Sequence, residues 1–244
     1  MPLLSQVPET NPSTGELFLR LRHHRNIIIT PHRLEDAPLM VPLFNDPRIY
    51  HWLLRPPFPY VLSHAEGWLK SCIPQEKSYI DEFKLSQSSQ TPAILSGCPF
   101  SALREVKDDG SDEFIGNITL KRCNFCEFLN TDTIDFENAQ KNTAANDALE
   151  VGDSNIVWGI GDYLRPSHHG RGIMSDAVET LIHDWGVPRM NTRRYLVTPF
   201  TGNHGSVKVF QKNGFTLTRT IAEYGVVRGE MRGMHVLEWT AEAS

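Results

Sequence analysis
The residues with the most chemical potential gather between Asp162 and Ser206. Gly170-Arg171-Gly172 stands between two apolar runs of different period. Before it, Ile156 to Leu164 is rich in β-branched and aromatic residues, as a strand is, and Pro166 prevents a central strand from continuing. After it, Ile173, Ala177, Val178, Leu181, Ile182 and Trp185 recur every three to four residues and form one apolar stripe on a helix. Glycines at such a junction let the backbone turn sharply and leave no side chain over the helix start. The first N–H groups of the helix have no internal partner, and with the macrodipole they form a site for phosphate or another anion. Arg171 adds positive charge. The same Gly-x-Gly also serves as a plain tight turn, and these residues alone leave both readings open. Binding or solvation suits His168 and His169 beside the loop better than acid catalysis.

A second constellation lies downstream. Arg194 to Thr198 reads as a strand stopped by Pro199, and Asn203 opens a short helix ending at Gly214. Asn203 is a good N-cap residue in its own right. Other catalytic patterns are absent. Gly205-Ser206 lacks the nucleophile elbow of serine hydrolases. Gly170-Arg-Gly172 lacks the Lys-Ser/Thr of a nucleoside-triphosphate loop, and no dinucleotide fingerprint occurs.

His169-Gly-Arg-Gly-Ile-Met-Ser-Asp-Ala177 resembles the pyrophosphate-binding motif of the GNAT superfamily of N-acetyltransferases. His169 takes the place usually held by Gln or Arg, and Met174 that of the final small residue. Both departures lie closer to the RimJ/RimL branch. Asn203 to Phe215 resembles the family's Asn-x-x-Ser/Ala segment, which ends in Gly-Phe. Arg33-Leu34-Glu35-Asp36, after the strand Asn26 to Thr30, resembles the start of that branch, where a strand is followed by an Arg-Leu segment with a nearby Asp. Phe114 to Leu120 resembles its third strand.

The resemblance implies a mixed α+β sheet, mostly antiparallel, with helices on both faces and one parallel strand pair that splays to admit the cofactor. It implies acetyl transfer from acetyl-CoA, as co-substrate, to a primary amine on a small molecule or a protein N-terminus. Backbone N–H groups from His169 through Gly170, Arg171, Gly172, Ile173 and Met174 toward Ser175 would hold the pyrophosphate. The strand edge at Tyr163 and Leu164 would pair with pantetheine, and the Leu164 N–H would polarise the thioester carbonyl. Asn203 and Ser206 would reach the pantetheine arm or a phosphate. Asp162 is the leading base because it adjoins the splay point, although strand alternation could send it to solvent. Tyr163 is the neighbouring alternative, and Glu223 with Tyr224 a more distant one. The family's usual acid is a Tyr seven residues after the Asn. Here that place is Phe210, which donates no proton, so water is expected to protonate the thiolate. A non-catalytic acyl-CoA-binding module is the alternative reading.

The remaining elements position this site. Residues 1–25 read as a loose arm or an extended segment, with Arg20-Leu-Arg22-His-His-Arg25 a solvated lead-in. Residues 26–244 read as one N-acetyltransferase domain. Ala37 to Asn45 and Arg48 to Leu54 read as helices. Ser63 and Glu66 suggest a capping box opening a helix to about Cys72. His51 and Trp52, and with them Tyr60, Trp68 and Tyr224, are candidates for the acceptor wall. Phe100–Val106 and Phe114–Lys121 read as a hairpin across an Asp-Gly turn. Residues 127–153 are acidic and poor in core residues, and read as an inserted loop, solvated or lid-like. Phe215–Ile221 and Met231–Trp239 read as a last strand pair, across a loop holding Tyr224 and Arg228.

Composition fits an ordinary globular chain. Of its residues, 40% are hydrophobic and 22% charged, with net charge −5. No global basic field points to nucleic acid, and no apolar run approaches membrane-spanning length. Cys72, Cys98, Cys123 and Cys126 read as free thiols in a reducing, cytoplasmic setting. Cys123-x-x-Cys126 is half of a zinc signature without its second pair, so no metal is expected. The oligomeric state, monomer or homodimer, has no signature.

Overall fold
A computed structural model describes residues 7–87, 93–129 and 134–241. Its nine strands form one sheet in the order β1-β2-β3-β4-β5-β6-β7-β9-β8. The strands are β1 (Glu9–Thr10), β2 (Leu17–Arg20), β3 (Ile27–Thr30), β4 (Ala102–Val106), β5 (Asp112–Arg122), β6 (Val157–Leu164), β7 (Arg194–Val197), β8 (Thr216–Val227) and β9 (Glu230–Thr240). Every neighbouring pair is antiparallel except β6 with β7. This is the mixed α+β sheet expected from the sequence.

The helices are α1 (Ala37–Asn45), α2 (Pro47–Tyr50), α3 (Leu62–Gln87), α4 (Ala139–Asp147), α5 (Ile173–Thr180), α6 (Val187–Met190) and α7 (His204–Lys212). Strand alternation assigns the two faces. Trp158 and Ile160 of β6 join the core beneath α5, where the whole predicted stripe from Ile173 to Trp185 is buried. Tyr163 points the other way, into the cluster built by α1 and α3, and Val157 joins a third cluster with Phe200 and Met234.

The helix expected over Arg48 to Leu54 is only the single turn α2, which ends at Tyr50. Four further segments differ from expectation, each because tertiary contacts override local composition. First, β1 and β2 precede the strand expected to come first, so the N-terminal segment is the extended alternative, joined to the sheet. Second, α3 begins before Ser63 and runs to Gln87 through Pro74, without the capping box or the stop near Cys72. Ala65, Leu69, Glu76 and Phe83 hold it down along one face, and that packing outweighs the proline. Third, β8 continues past Ile221, so Tyr224 lies in a strand. Register shifts at Leu217/Arg219 and Ile221/Gly225 break the alternation that would have revealed this. The turn is only Arg228-Gly229, both left-handed.

Fourth, the insertion is anchored by a few buried groups, while most of α4 stays exposed. Phe128 is fully buried. Asn146 at the end of α4 acts as a missing strand neighbour: its Oδ1 accepts from Val157 N at 2.9 Å, and its Nδ2 donates to Val157 O at 2.9 Å. Arg122 donates to the carbonyls of Asn146, Asp147 and Leu149 that follow. None of the segment's described residues lines the cleft between β6 and β7.

Candidate active site
The parallel pair β6/β7 is short. Val157 pairs with Arg194 and Trp158 with Tyr195; from Gly159 onward β6 has a ladder partner only on its β5 side. The free edge of β6 therefore presents unpaired backbone donors and acceptors to the gap. A cleft of about 890 Å³ occupies it, lined by Gly159–Leu164 on one side and Leu196–Phe200 on the other.

At the far end of β6 the chain turns through Gly170 (φ 74°) and Gly172 (φ 82°), the latter serving as N-cap of α5. Both are left-handed, a conformation that glycine adopts without strain. A Cβ at Gly170 would meet nothing within 4 Å, and one at Gly172 would meet only the His24 ring carbon at 3.7 Å. The glycines thus leave free space over the α5 N-terminus, whose first N–H groups have no partner within the helix. Asn203 Oδ1 accepts from Ser206 N at 3.2 Å, so Asn203 caps α7 beside the same cleft.

The loop is braced from the N-terminal segment. Asp176, 3% exposed, accepts from Arg22 N, His23 N and His24 N at 3.1, 2.9 and 2.8 Å. His24 Nδ1 also meets Asp176 at 2.8 Å, and its Nε2 lies 2.9 Å from the Arg171 carbonyl. The Arg22 guanidinium pairs with the fully buried Asp184 at 2.5 Å. This stretch is therefore no solvated lead-in. The reading missed it because both acids lie far away in sequence; the available signal was an Asp beside the apolar stripe of α5.

Asp162 lines the cleft on the α5 side of β6, in line with Ile160. It is half-buried and makes no side-chain hydrogen bond among the described residues. Burial pushes its carboxyl pKa from 3.8 to about 6. Tyr163 alternates to the opposite face. Its ring packs edge-on against Phe44 at 4.6 Å, its hydroxyl is buried without a partner, and burial raises its pKa further. Its backbone, not its hydroxyl, is what the free edge of the strand offers.

A family model for the acetyltransferase (GNAT) domain matches residues 26–216. The chain belongs to the GNAT acetyltransferase family. Its fold resembles solved structures at low identity. RimL, a ribosomal L7/L12 alpha-N-protein acetyltransferase, aligns with TM-score 0.60 and 13% identity over 96% of this chain and 100% of that one. The ribosomal-protein-S5-alanine acetyltransferase from Vibrio fischeri aligns with TM-score 0.57 and 16% identity, over 92% and 97%. MccE, a microcin C7 self-immunity acetyltransferase solved with acetyl-CoA and AMP, aligns with TM-score 0.56 and 14% identity, over 98% and 100%. No curated protein matches closely enough to count as a relative.

In this acetyltransferase the predicted residues divide. His169, Gly170, Gly172, Ile173, Met174, Ser175, Asn203 and Ser206 all border the cleft, with Asp162, Tyr163, Leu164 and Trp52. Arg171 does not; its guanidinium turns toward Glu105 at 3.9 Å. His169 Nε2 lies 2.7 Å from the Leu164 carbonyl and ties the loop to β6. His51 lies off the cleft wall, its Nδ1 accepting from Arg232 at 2.9 Å. Tyr224 lies off it too, donating to Glu127 at 3.0 Å, and burial pushes its pKa up to about 12. Tyr60 is buried against Phe44, Trp68 packs on His32, and Glu223 is exposed. Phe210 is 2% exposed and stacks edge-on with Phe215 at 5.1 Å. Lys208 and Lys212 of α7, which the reading missed, border the cleft and have no acidic partner among the described residues.

Among the described residues the metal-ligand types that gather most closely are His23, Asp176 and Glu179, within 4.8 Å of one another. Asp176 is already saturated there by the donors of the N-terminal turn. Cys123 is buried, and the side chain of Cys126 lies outside the described residues. No described helix is long and apolar enough to cross a membrane.

Proposed function
We propose that the chain transfers the acetyl group of acetyl-CoA to a primary amine by direct attack on the thioester. The observation that carries this reading is the gap between β6 and β7, which runs from a free strand edge to the glycine-opened N-terminus of α5. Backbone N–H groups from His169 to Met174 hold the pyrophosphate, and Ser175, Asn203 and Ser206 lie along the same wall. Lys208 and Lys212 add charge for the phosphates. The edge of Tyr163 and Leu164 receives pantetheine as a further strand would, and the Leu164 N–H polarises the thioester carbonyl.

Asp162 serves as general base, directly or through one water. The amine nitrogen attacks the carbonyl carbon, Asp162 takes up the proton that the nitrogen loses, and the carbon–sulfur bond breaks. The CoA thiolate leaves and takes a proton from water. Phe210 supplies none, since a phenyl ring has no exchangeable proton. Positioning of two bound substrates contributes much of the rate. The names of RimL and the S5-alanine enzyme refer to amino groups of proteins, which supports an amine acceptor. Trp52, which lines the cleft together with Gly202, forms part of the acceptor wall.

Calorimetric titration with acetyl-CoA, with NADH and ATP as controls, tests the site. CoA release with an amine panel tests turnover. Micromolar binding of acetyl-CoA alone, followed by amine-dependent CoA release, is the expected result. Folded protein that ignores acetyl-CoA sinks the proposal; binding without release leaves the binding-only alternative.

A further inference from the structure
The cleft is cationic at the end opposite α5, and this has no explanation in cofactor binding. Lys121 is the cross-strand partner of Gly159. Directly opposed residues share a sheet face, so Lys121 stands on the face of Val157 and Tyr163, away from α5. The floor beside it is bare. Gly159 has no left-handed φ, and a Cβ there would meet nothing closer than Cys123 Cα at 3.6 Å, so neither backbone nor packing demands glycine. What its absence of a side chain does is keep the cleft open next to the ammonium group.

Arg55 borders the same cleft. Its guanidinium lies over the Phe125 ring at 5.0 Å. The turn residue Arg228 holds the chain on both sides of it, donating to Leu53 O at 2.5 Å and Pro56 O at 3.2 Å. Neither Arg55 nor Lys121 has an acidic partner among the described residues. Their cleft neighbours are already engaged: Arg48 pairs with Asp46 at 2.6 Å, and Arg122 donates to carbonyls around the end of α4. Lys121 keeps an exposed side chain, yet desolvation by the cleft walls, and then the charge of Arg55, lower its pKa. Asp162, the cleft's only carboxylate among its described lining residues, lies on the other face of β6. Glu127 is buried and bound by Tyr224.

We propose that Arg55 and Lys121 are specificity-determining residues that bind an anionic group, carboxylate or phosphate, on the acceptor amine. The amine then projects over Gly159 toward the splay. The inference rests on the acetyltransferase reading above and names its substrate class. Two exposed cations held without partners over an open floor are costly to gather and are relieved by an anion.

The test compares matched acceptors by kcat/KM: glycine against glycinamide, phosphoethanolamine against ethanolamine, and peptides beginning Ser-Asp against peptides beginning Ser-Lys. Wild type is expected to favour the anionic member of at least one pair by tenfold or more, on the order expected for a charge-assisted contact, and the preferred pair tells carboxylate from phosphate. Lys121→Glu should lower the anionic-to-neutral ratio about 100-fold, and Arg55→Ala about tenfold. Both side chains are exposed, so the variants should keep the wild-type Tm. Equal use of both members of every pair, or a preference for the neutral or cationic ones, overturns the inference while leaving acetyl transfer intact. A ratio unmoved by Lys121→Glu overturns it as well. Acetyl-CoA binding with no turnover of any amine instead refutes the underlying reading, and this inference with it.

Discussion

The two ends of the cleft are built in different ways. The end proposed for the cofactor is made of backbone: a free strand edge, two left-handed glycines and the first turn of α5, all within Val157–Thr180. The end proposed for the acceptor is made of side chains from distant segments: Trp52 and Arg55 after α2, Lys121 on β5, and Phe125 beyond it. Backbone recognition suits a cofactor that every catalytic cycle shares, because N–H groups and a helix terminus need no particular side chain. Side-chain recognition suits an acceptor that differs between enzymes of one fold, because loops and surface residues can change without disturbing the core.

The largest expected effect breaks the cofactor end alone. Gly172→Trp forces a β-carbon into a left-handed φ and puts an indole where the phosphate fits. Acetyl-CoA affinity should fall by at least ~100-fold, in line with losing charge-assisted bonds. Calorimetry checks this, and circular dichroism should still show the folded chain. Retained affinity would remove the pyrophosphate from this loop.

Next comes the junction of the two ends, Asp162. Asp162→Asn should lower kcat about 100-fold, the scale of a lost general base, and leave acetyl-CoA binding within about twofold. The wild-type rate should rise with pH through about 6, where the carboxyl ionises. The variant should lack that limb. Stability should move the opposite way to activity. Because the folded pKa lies above the ordinary 3.8, the folded state holds its proton to higher pH than the unfolded chain. The resulting penalty is absent below about pH 4, grows up to about 6 and is complete above it. Asn removes the charge, so at pH 7 the variant should be more stable by about 1–3 kcal/mol and at pH 4 nearly equal. A variant with full activity would move the base elsewhere.

The same division governs what the sequence discloses. The strand, turn and helix of the proposed cofactor end were legible because their determinants are contiguous: an apolar run, glycines at fixed offsets, then a stripe from Ile173 to Trp185 that proved buried throughout. Asn203 was legible as a cap. The acceptor end was not. Tyr224 was placed in a loop because two bulges hide the period of β8, and His51 looked available although Arg232 engages it. Arg55 and Lys121 gave no local signal, since a charged residue beside a proline run or near a strand end reads as surface. The docking of Asn146 onto Val157 was equally silent, because an amide that completes a ladder has the composition of a loop.

Asp176 sets the smallest effect and sharpens the comparison most, because it decides whether the cofactor end is as self-contained as its sequence suggests. Its carboxylate gathers the N–H groups of residues 22–24, and His24 in turn reaches the Arg171 carbonyl inside the phosphate loop. In Asp176→Asn one oxygen becomes an amide nitrogen facing donors, so buried N–H groups lose their acceptor. The fold should lose about 2–4 kcal/mol, the range for a buried charged group stripped of its bonds. If the N-terminal turn also sets the loop, acetyl-CoA affinity should fall about tenfold, on the order of one charged hydrogen bond, while kcat at saturating acetyl-CoA stays within about twofold. Urea unfolding and calorimetry separate the two. Lost stability with unchanged affinity would mean that the glycines and α5 alone shape the site, and that the N-terminal turn only seals the edge of the core. Lost affinity would extend the cofactor end back to β2, across more than 150 residues of chain: Arg22 and Asp176 are 154 apart.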